Sequence, residues 1–135
     1  MGKLNMKDWI DQTIQTKKTI AIPIMTHPGI ELIGKSVHDA VTNGQVHYEA
    51  IKALCDKYPT AAATVIMDLT VEAETFGAEI VFPENEVPSL SGRLLADEAA
   101  IETLEIPALN KGRIAQYLNC LLYTSPSPRD STSSR

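Results

Sequence analysis

The sequence predicts an α/β fold, namely the amino-terminal third of a (β/α)8 TIM barrel. Segments of helix and strand character alternate along the chain, and such alternation is typical of a parallel sheet covered by helices. The chain has 135 residues, whereas a complete (β/α)8 barrel needs about 250. We therefore expect an incomplete barrel whose sheet ends in an open edge.

The first elements are a helix and a buried strand. Apolar residues from Met6 to Ile14 fall at helical spacing. Residues 19–25 are apolar and partly β-branched, which is typical of a buried strand, although Pro23 removes one ladder donor there. A tight loop at residues 26–29 follows.

Two helices precede the second strand. Ser36 with Asp39 resembles a capping pair that opens a short helix, which the Asn-Gly pair at residues 43–44 ends. Between Tyr48 and Tyr58 apolar residues repeat every three or four positions, which predicts an amphipathic helix.

Residues 61–82 carry the most informative pattern of the sequence, a strand, a short helix and a further strand. Residues 61–67 predict a second buried strand and residues 78–82 a third, with a short helix between them. Because α/β barrels keep their chemistry at strand tips, Asp68 is a candidate catalytic residue. The alternative is structural, since Asp68 or Thr70 is also placed to cap the helix, a role worth about 1 kcal/mol.

The sequence after residue 82 predicts a loop and two further helices. The loop covers residues 83–88, and the helices cover residues 96–104 and 111–118. We assign residues 1–119 to the barrel domain.

Residues 120–135 are predicted to be a disordered tail. From Thr124 onward no hydrophobic residue appears, so nothing offsets the entropy of ordering the chain. Residues 120–130 also resemble the translation of a transposon-end adapter used to prepare sequencing libraries. We therefore expect the tail to be an artefact and the native sequence to stop near Asn119.

The composition argues against several classes of function. The chain carries 12 basic and 17 acidic residues, whereas a nucleic-acid surface would need clustered lysines and arginines. It shows no apolar core of signal-peptide length near its start and no run of the roughly 18 apolar residues that span a bilayer. Without the tail, Cys55 is the only cysteine, so no internal disulfide forms. We expect a cytoplasmic protein with no nucleic-acid or membrane partner.

The three histidines predict no metal site. His27 lies in a loop, and His38 and His47 lie on or beside helix faces, where we expect surface positions. No two of them share a ligand spacing with a cysteine or carboxylate. Glu72 and Glu74 are two positions apart on a helix and do not face each other, so compensation of the helix dipole explains them.

Three stretches of the sequence together resemble a known family. They are residues 22–41, which begin Ile-Pro-Ile-Met-Thr-His-Pro-Gly, residues 67–80, which begin Met-Asp-Leu-Thr-Val-Glu, and Glu-Val-Pro at residues 86–88. They resemble the amino-terminal part of the uroporphyrinogen decarboxylase superfamily, and most closely its corrinoid-dependent branch, the methylcobalamin:coenzyme M methyltransferases. The resemblance covers residues 6–119 and implies a (β/α)8 barrel.

The loop after the first strand separates the two branches. In the decarboxylases it resembles Met-Arg-Gln-Ala-Gly-Arg, and its arginines hold the carboxylates of the porphyrinogen. Thr26 and Ile30 stand at the matching positions here. Because a polycarboxylate needs fixed bidentate cations, this difference argues against decarboxylation and for methyl transfer. By their place in this loop, the candidate substrate-binding residues are Met25, Thr26, His27 and Gly29.

The resemblance also implies a role for Asp68 and a set of cofactors. In the decarboxylases an aspartate at the second strand tip contacts the pyrrole nitrogens, and Asp68 matches it. In the methyltransferases a His-x-Cys pair and a distant cysteine hold zinc, which turns a thiol into a thiolate. Those ligands would lie beyond Asn119, so we expect no metal or cofactor bound by this chain itself. For the intact protein the resemblance implies zinc, a methylated corrinoid protein as partner and a small thiol.

Three functions stay open from the sequence. The first is transfer of a methyl group from a methylated corrinoid protein to a thiol such as coenzyme M. The second is uroporphyrinogen decarboxylation, a lyase reaction of tetrapyrrole synthesis. The third is a non-catalytic barrel that binds a corrinoid or its partner protein. In each case we expect residues 1–119 alone to be inactive.

Overall fold

A computed structural model describes residues 5–124, without the side chains of residues 6 and 120–124. In chain order these residues form α1 (Met6–Gln15), α2 (His27–Leu32), α3 (Val37–Thr42), α4 (Gly44–Lys57), α5 (Thr70–Thr75), β1 (Glu79–Val81), β2 (Ser89–Ser91), α6 (Glu98–Glu102) and α7 (Gly112–Thr124). Each helix predicted from the sequence is confirmed, with shifted ends. None of the helices in the described part is long and apolar enough to cross a membrane.

The predicted loop at residues 26–29 is wrong, because α2 begins there. Pro28 lies in the first turn of this helix, where its missing N–H leaves no intrahelical hydrogen bond unmade. Beyond the helix, Gly34 takes a φ of +64°, a left-handed conformation that glycine adopts without strain. A Pro-Gly pair marks turns as well as helix starts, which explains the error.

Side-chain caps fix the ends of α3 and α4. The Ser36 hydroxyl accepts a hydrogen bond from the N–H of Asp39, whose carboxylate accepts one from the N–H of Ser36, so the predicted capping pair is confirmed. Asn43 ends α3, and its side-chain oxygen accepts hydrogen bonds from the N–H groups of Gln45 and Val46. A single residue therefore separates the two helices.

The buried core lies between α2, α3 and α4 and the segment before α5. Its members are Ile30, Val37, Ala40, Val41, Ala50 and Ile66. Burial of each Ile or Val side chain contributes roughly 1.5–3 kcal/mol. The later helix α7 packs against both α4 and α5, so it closes the core from the carboxyl-terminal side.

The strands of the described part differ from the prediction. The third predicted strand, at residues 78–82, is confirmed as β1, which pairs with β2 in antiparallel register. The strands predicted at residues 19–25 and 61–67 are not formed, because neither segment carries a strand ladder. Threonine hydroxyls connect the two segments instead: Thr64 Oγ1 donates to the carbonyl of Pro23 at 3.3 Å, and Thr26 Oγ1 donates to the carbonyl of Thr64 at 3.5 Å.

Side chains alternate between two faces just before α5. Ile66 and Asp68 are buried beneath the helices, whereas Met67 and Leu69 are exposed on the opposite side. The N–H of Asp68 donates to the carbonyl of Ile66 at 3.1 Å, so a three-residue turn joins the two buried residues. In a closed barrel the side of each strand away from the helices points to the interior.

The carboxyl-terminal helix runs past the predicted end of the barrel piece. α7 continues to Thr124, so residues 120–124 of the predicted disordered tail are helical. Residues 125–135 lie outside the described part of the chain. The adapter origin of residues 120–135 stays a prediction.

Candidate functional site

Three of the four predicted substrate-binding residues line one cleft. Met25, Thr26 and His27 face residues from the segment before α5 and from the loop before β2, and the other lining residues are Ile24, Val65, Ile66, Met67 and Val87. The cleft holds about 140 Å³, which is small beside the roughly 300–1,000 Å³ of pockets that enclose whole ligands. A cleft of this size has room for a small chemical group or for one edge of a larger ligand.

The side chains of this cleft are mostly apolar. Met25 and Met67 are exposed, and His27 is exposed beside them. Thr26 is buried, and its hydroxyl donates to the carbonyl of Thr64. The cleft therefore offers an apolar wall with an imidazole at its edge.

Gly29, the fourth predicted substrate-binding residue, is not among the residues that line this cleft. It is buried in α2 where that helix crosses α4, and a Cβ atom added to it would lie 2.2 Å from the carbonyl oxygen of Ala50. Only glycine permits this approach. The structure thus accounts for Gly29 by helix packing and not by binding.

Asp68, the predicted catalytic residue, is not among the residues that line the cleft. It is buried, and its Oδ1 accepts hydrogen bonds from the N–H of Thr70 at 2.9 Å and from the Thr70 hydroxyl at 2.7 Å. This bond satisfies the first N–H of α5, but the N-cap residue of that helix is Leu69, so the N-cap predicted at Asp68 or Thr70 is wrong. The catalytic role of Asp68 stays a prediction, and in the part of the chain described its carboxylate does not line the cleft.

Arg113 is the functional residue that the sequence reasoning missed. It lies in the first turn of α7 and is buried. Its Nη1 donates to Asp68 Oδ2 at 2.5 Å and to the carbonyl of Val41 at 3.3 Å, its Nη2 donates to Thr70 Oγ1 at 2.9 Å, and its Nε donates to Glu74 Oε2 at 2.5 Å. We call Asp68, Thr70, Glu74 and Arg113 the arginine cluster.

One signal in the sequence could have pointed to this residue. Within residues 1–119 only Arg93 and Arg113 are arginines, and arginine is the cation best suited to buried ion pairs. The buried carboxylate at Asp68 therefore had few possible partners.

Asp68 and Arg113 hold each other in their charged forms. Burial alone would raise the pKa of Asp68, but hydrogen bonds from Thr70 and Arg113 outweigh it and lower that pKa below its usual value. Burial likewise opposes the charge of Arg113, yet the bonds to Asp68 and Glu74 raise its pKa. Both groups carry full charge at neutral pH.

The surface position predicted for His47 is wrong. The side chain is 1% exposed, and its Nε2 accepts a hydrogen bond from the backbone N–H of Ile66 at 3.0 Å. An accepting nitrogen requires the neutral ring, and burial lowers the pKa of His47 to about 4. The ring of Tyr117 meets it edge-on at 5.3 Å between centroids. His38 is half-buried and contacts the ring of Phe82 edge-on.

The described residues do not fit a zinc site. Among them, no group of three or more His, Cys, Asp and Glu side chains could hold a metal ion. Asp68 and Glu74, the two carboxylates of the arginine cluster, are both bound to Arg113.

Comparison with known proteins gives one family and one fold. A family model described as uroporphyrinogen decarboxylase (URO-D) matches residues 13–127. Among solved structures, a methyltransferase from Methanosarcina mazei matches with a TM-score of 0.67 and 20% sequence identity, over 96% of this chain and 39% of that one. No curated protein matches the sequence. At this identity the likeness shows the fold, which is that of a partial (β/α)8 barrel spanning about two fifths of the solved chain.

Proposed function

Because this chain belongs to the uroporphyrinogen decarboxylase family, we propose that it is part of a barrel methyltransferase. The whole protein transfers a methyl group from a methylated corrinoid protein to a small thiol such as coenzyme M. The described residues contribute one wall of the active-site cleft, made by the residues around Met25 and Met67. The corrinoid protein and the thiol are the partners that this proposal implies.

The observation that carries the proposal is that none of the described residues lining the cleft is an arginine or lysine. A porphyrinogen carries several carboxylates, which arginine binds in bidentate fashion. Arg113 is buried, and Asp68, Thr70 and Glu74 already occupy its donors. An apolar wall suits instead a methyl group and the hydrocarbon edge of a macrocycle, since both prefer a site without water.

The same wall defines what these residues do in the reaction. In the whole protein, Ile24, Met25 and Met67 supply an apolar surface along the path of the methyl group, although all three are exposed in the part described. His27 supplies a polar contact at the edge of the cleft. Zinc in the whole protein would supply the lowered thiol pKa, and we assign no step to it from the residues described.

Decarboxylation has less support from this structure. That reaction, by the family resemblance, needs an aspartate at the second strand tip facing the substrate. Asp68 occupies that place in the sequence but is turned under the helices and bound to Arg113. Its carboxylate does not line the cleft.

The test compares both reactions in the whole protein, expressed from the uninterrupted gene. Methylcobalamin with coenzyme M should lose its methyl group, which is followed by the change in corrinoid absorbance, and uroporphyrinogen should stay intact in parallel samples. Release of carbon dioxide from uroporphyrinogen without thiol methylation would favour the decarboxylase instead. Corrinoid binding with neither reaction would favour a non-catalytic barrel.

A further inference from the structure

Three charged side chains from separate parts of the chain meet beneath the helices. Asp68 follows the segment of residues 61–67, Glu74 lies on α5, and Arg113 lies 45 residues beyond Asp68 on α7. The side chains of Asp68 and Arg113 are 1% and 7% exposed. A buried pair of this kind requires that nearly every donor and acceptor finds a partner.

We propose that Arg113 is a positioning residue, which anchors the Asp68 carboxylate under the helices so that Asp68 takes no part in proton transfer at the cleft. Met67, the residue just before Asp68, is exposed and lines the cleft, whereas Asp68 is buried and does not line it. The inference rests on the proposed function only for the identity of the reaction at the cleft. The contacts between Arg113 and Asp68 are the same whichever substrate binds.

The carboxylate of Asp68 has no free route to a substrate. Its Oδ1 accepts two hydrogen bonds from Thr70, and its Oδ2 accepts one from Arg113. A general base must lie within hydrogen-bond reach of the proton that it removes. Both oxygens of Asp68 are bound by partners within the protein, and Asp68 is not among the residues that line the cleft, so its carboxylate has no such proton within reach there.

Arg113 is equally unsuited to binding a substrate carboxylate. Its Nε, Nη1 and Nη2 atoms all donate within the protein, and its guanidinium lies over the ring of Phe82 at 4.7 Å from the centroid. A bound anion would have to displace Glu74 or Asp68. The arginine cluster is therefore an internal anchor and not a replacement for the arginines of the decarboxylase loop.

Glu74 is the outer partner of the cluster. Its side chain is a third exposed, whereas that of Asp68 is almost fully enclosed. Solvent screens the outer pair more than the inner pair. The inference therefore assigns the anchoring role to the Asp68 contact and predicts that removal of Glu74 has the smaller effect on Asp68.

The test is a carbon-detected NMR pH titration of the side-chain carboxyl of Asp68 in the full 135-residue chain, assigned by comparison with Asp68→Asn. In the unmodified chain the carboxyl should stay ionised below the ordinary aspartate pKa of about 3.9. Arg113→Gln should raise the pKa of Asp68 by at least about one unit, Glu74→Gln should raise it less, and Arg113→Lys should fall between the unmodified chain and Arg113→Gln. Lys52→Gln, which breaks the exposed Lys52–Asp56 ion pair, is the matched control and should leave Asp68 unchanged.

Two results would overturn the inference. One is an Asp68 carboxyl that titrates at or above the ordinary value in the unmodified chain, which needs no variant to fold. The other is an equal Asp68 pKa in the unmodified chain and in Arg113→Gln. In the whole protein, kcat/KM for methyl transfer should depend on pH in the same way for Arg113→Lys and for the unmodified protein. A shift in the apparent pKa of that pH profile would show that Asp68 titrates in the reaction. A failure of methyl transfer itself would remove the proposed function without changing the NMR result.

Discussion

The imidazole of His47 on α4 accepts a hydrogen bond from the backbone N–H of Ile66 across 3.0 Å. This contact joins α4 to the segment that leads to Asp68. The N–H of Ile66 would otherwise be a buried donor without a ladder partner, because residues 61–67 form no strand. A neutral histidine thus does in this chain what a neighbouring strand does in a sheet.

We predict that this contact makes the protein sensitive to acid. The pKa of His47 is lowered in the folded protein from 6.5 to about 4, so the unfolded state binds the proton first as the pH falls. The free energy of unfolding is therefore highest above pH 6.5 and decreases down to about pH 4, by roughly 3 kcal/mol in total. Urea unfolding at several pH values measures this slope. His47→Gln should flatten it, whereas His27→Gln, at an exposed histidine, should leave it unchanged; equal slopes in both variants would contradict the assignment.

We predict strong coupling between Asp68 and Arg113. Removal of one partner leaves a buried charge unpaired, which costs about 3–5 kcal/mol. Asp68→Asn and Arg113→Met should each destabilise the chain in this range, and the double variant should cost clearly less than their sum. Chemical denaturation of all four proteins gives the coupling free energy. The same cycle on Lys52 and Asp56, an exposed pair, is the control and should show no measurable coupling. Additive effects at Asp68 and Arg113 would show that the buried contact is not formed.

We predict that Gly29 is required for the packing of α2 on α4. In Gly29→Ala the new Cβ would lie 2.2 Å from the carbonyl oxygen of Ala50, so one helix must shift. We expect a loss of about 1–3 kcal/mol in the free energy of unfolding, typical of overpacking. Gly44→Ala is the control, because its nearest contact would be 3.4 Å from a Gln116 oxygen, an ordinary distance. If both variants are equally stable, the close approach of α2 and α4 is incorrect.

We predict that a charge in the cleft blocks the proposed reaction while an equal charge outside it does not. Met25 and Leu32 are 39% and 40% exposed, but only Met25 lines the cleft. In the whole protein, Met25→Lys should lower methyl-transfer kcat/KM by at least about tenfold, or roughly 1.4 kcal/mol. Leu32→Lys should stay close to the unmodified protein. Equal activity of the two variants would place the reaction elsewhere.

Local contacts are the part of this fold that the sequence predicts well. The capping pair of Ser36 and Asp39 joins residues three positions apart. Such short-range hydrogen bonds follow from residue type and spacing alone. The amphipathic pattern predicts the helix α4 but not its buried face, because Tyr48 and Tyr58 are exposed whereas His47 and Ala50 are buried.

Long-range contacts were the part that could not be predicted. Arg113 reaches Asp68 across 45 residues, and His47 reaches Ile66 across 19. No periodicity marks either pair, so Arg113 was missed and His47 was placed at the surface. The apolar runs at residues 19–25 and 61–67 form no strand, because a ladder depends on the neighbouring strand and not on the run itself.

The most direct test of the central claim follows the methyl group itself. The whole protein is incubated with a corrinoid protein carrying a ¹³C-labelled methyl group and with coenzyme M, and the products are separated by mass spectrometry. The proposal predicts that the label appears in the methylated thiol at a rate that depends on the whole protein. Label that stays on the corrinoid, while uroporphyrinogen in a parallel sample loses carbon dioxide, would contradict it.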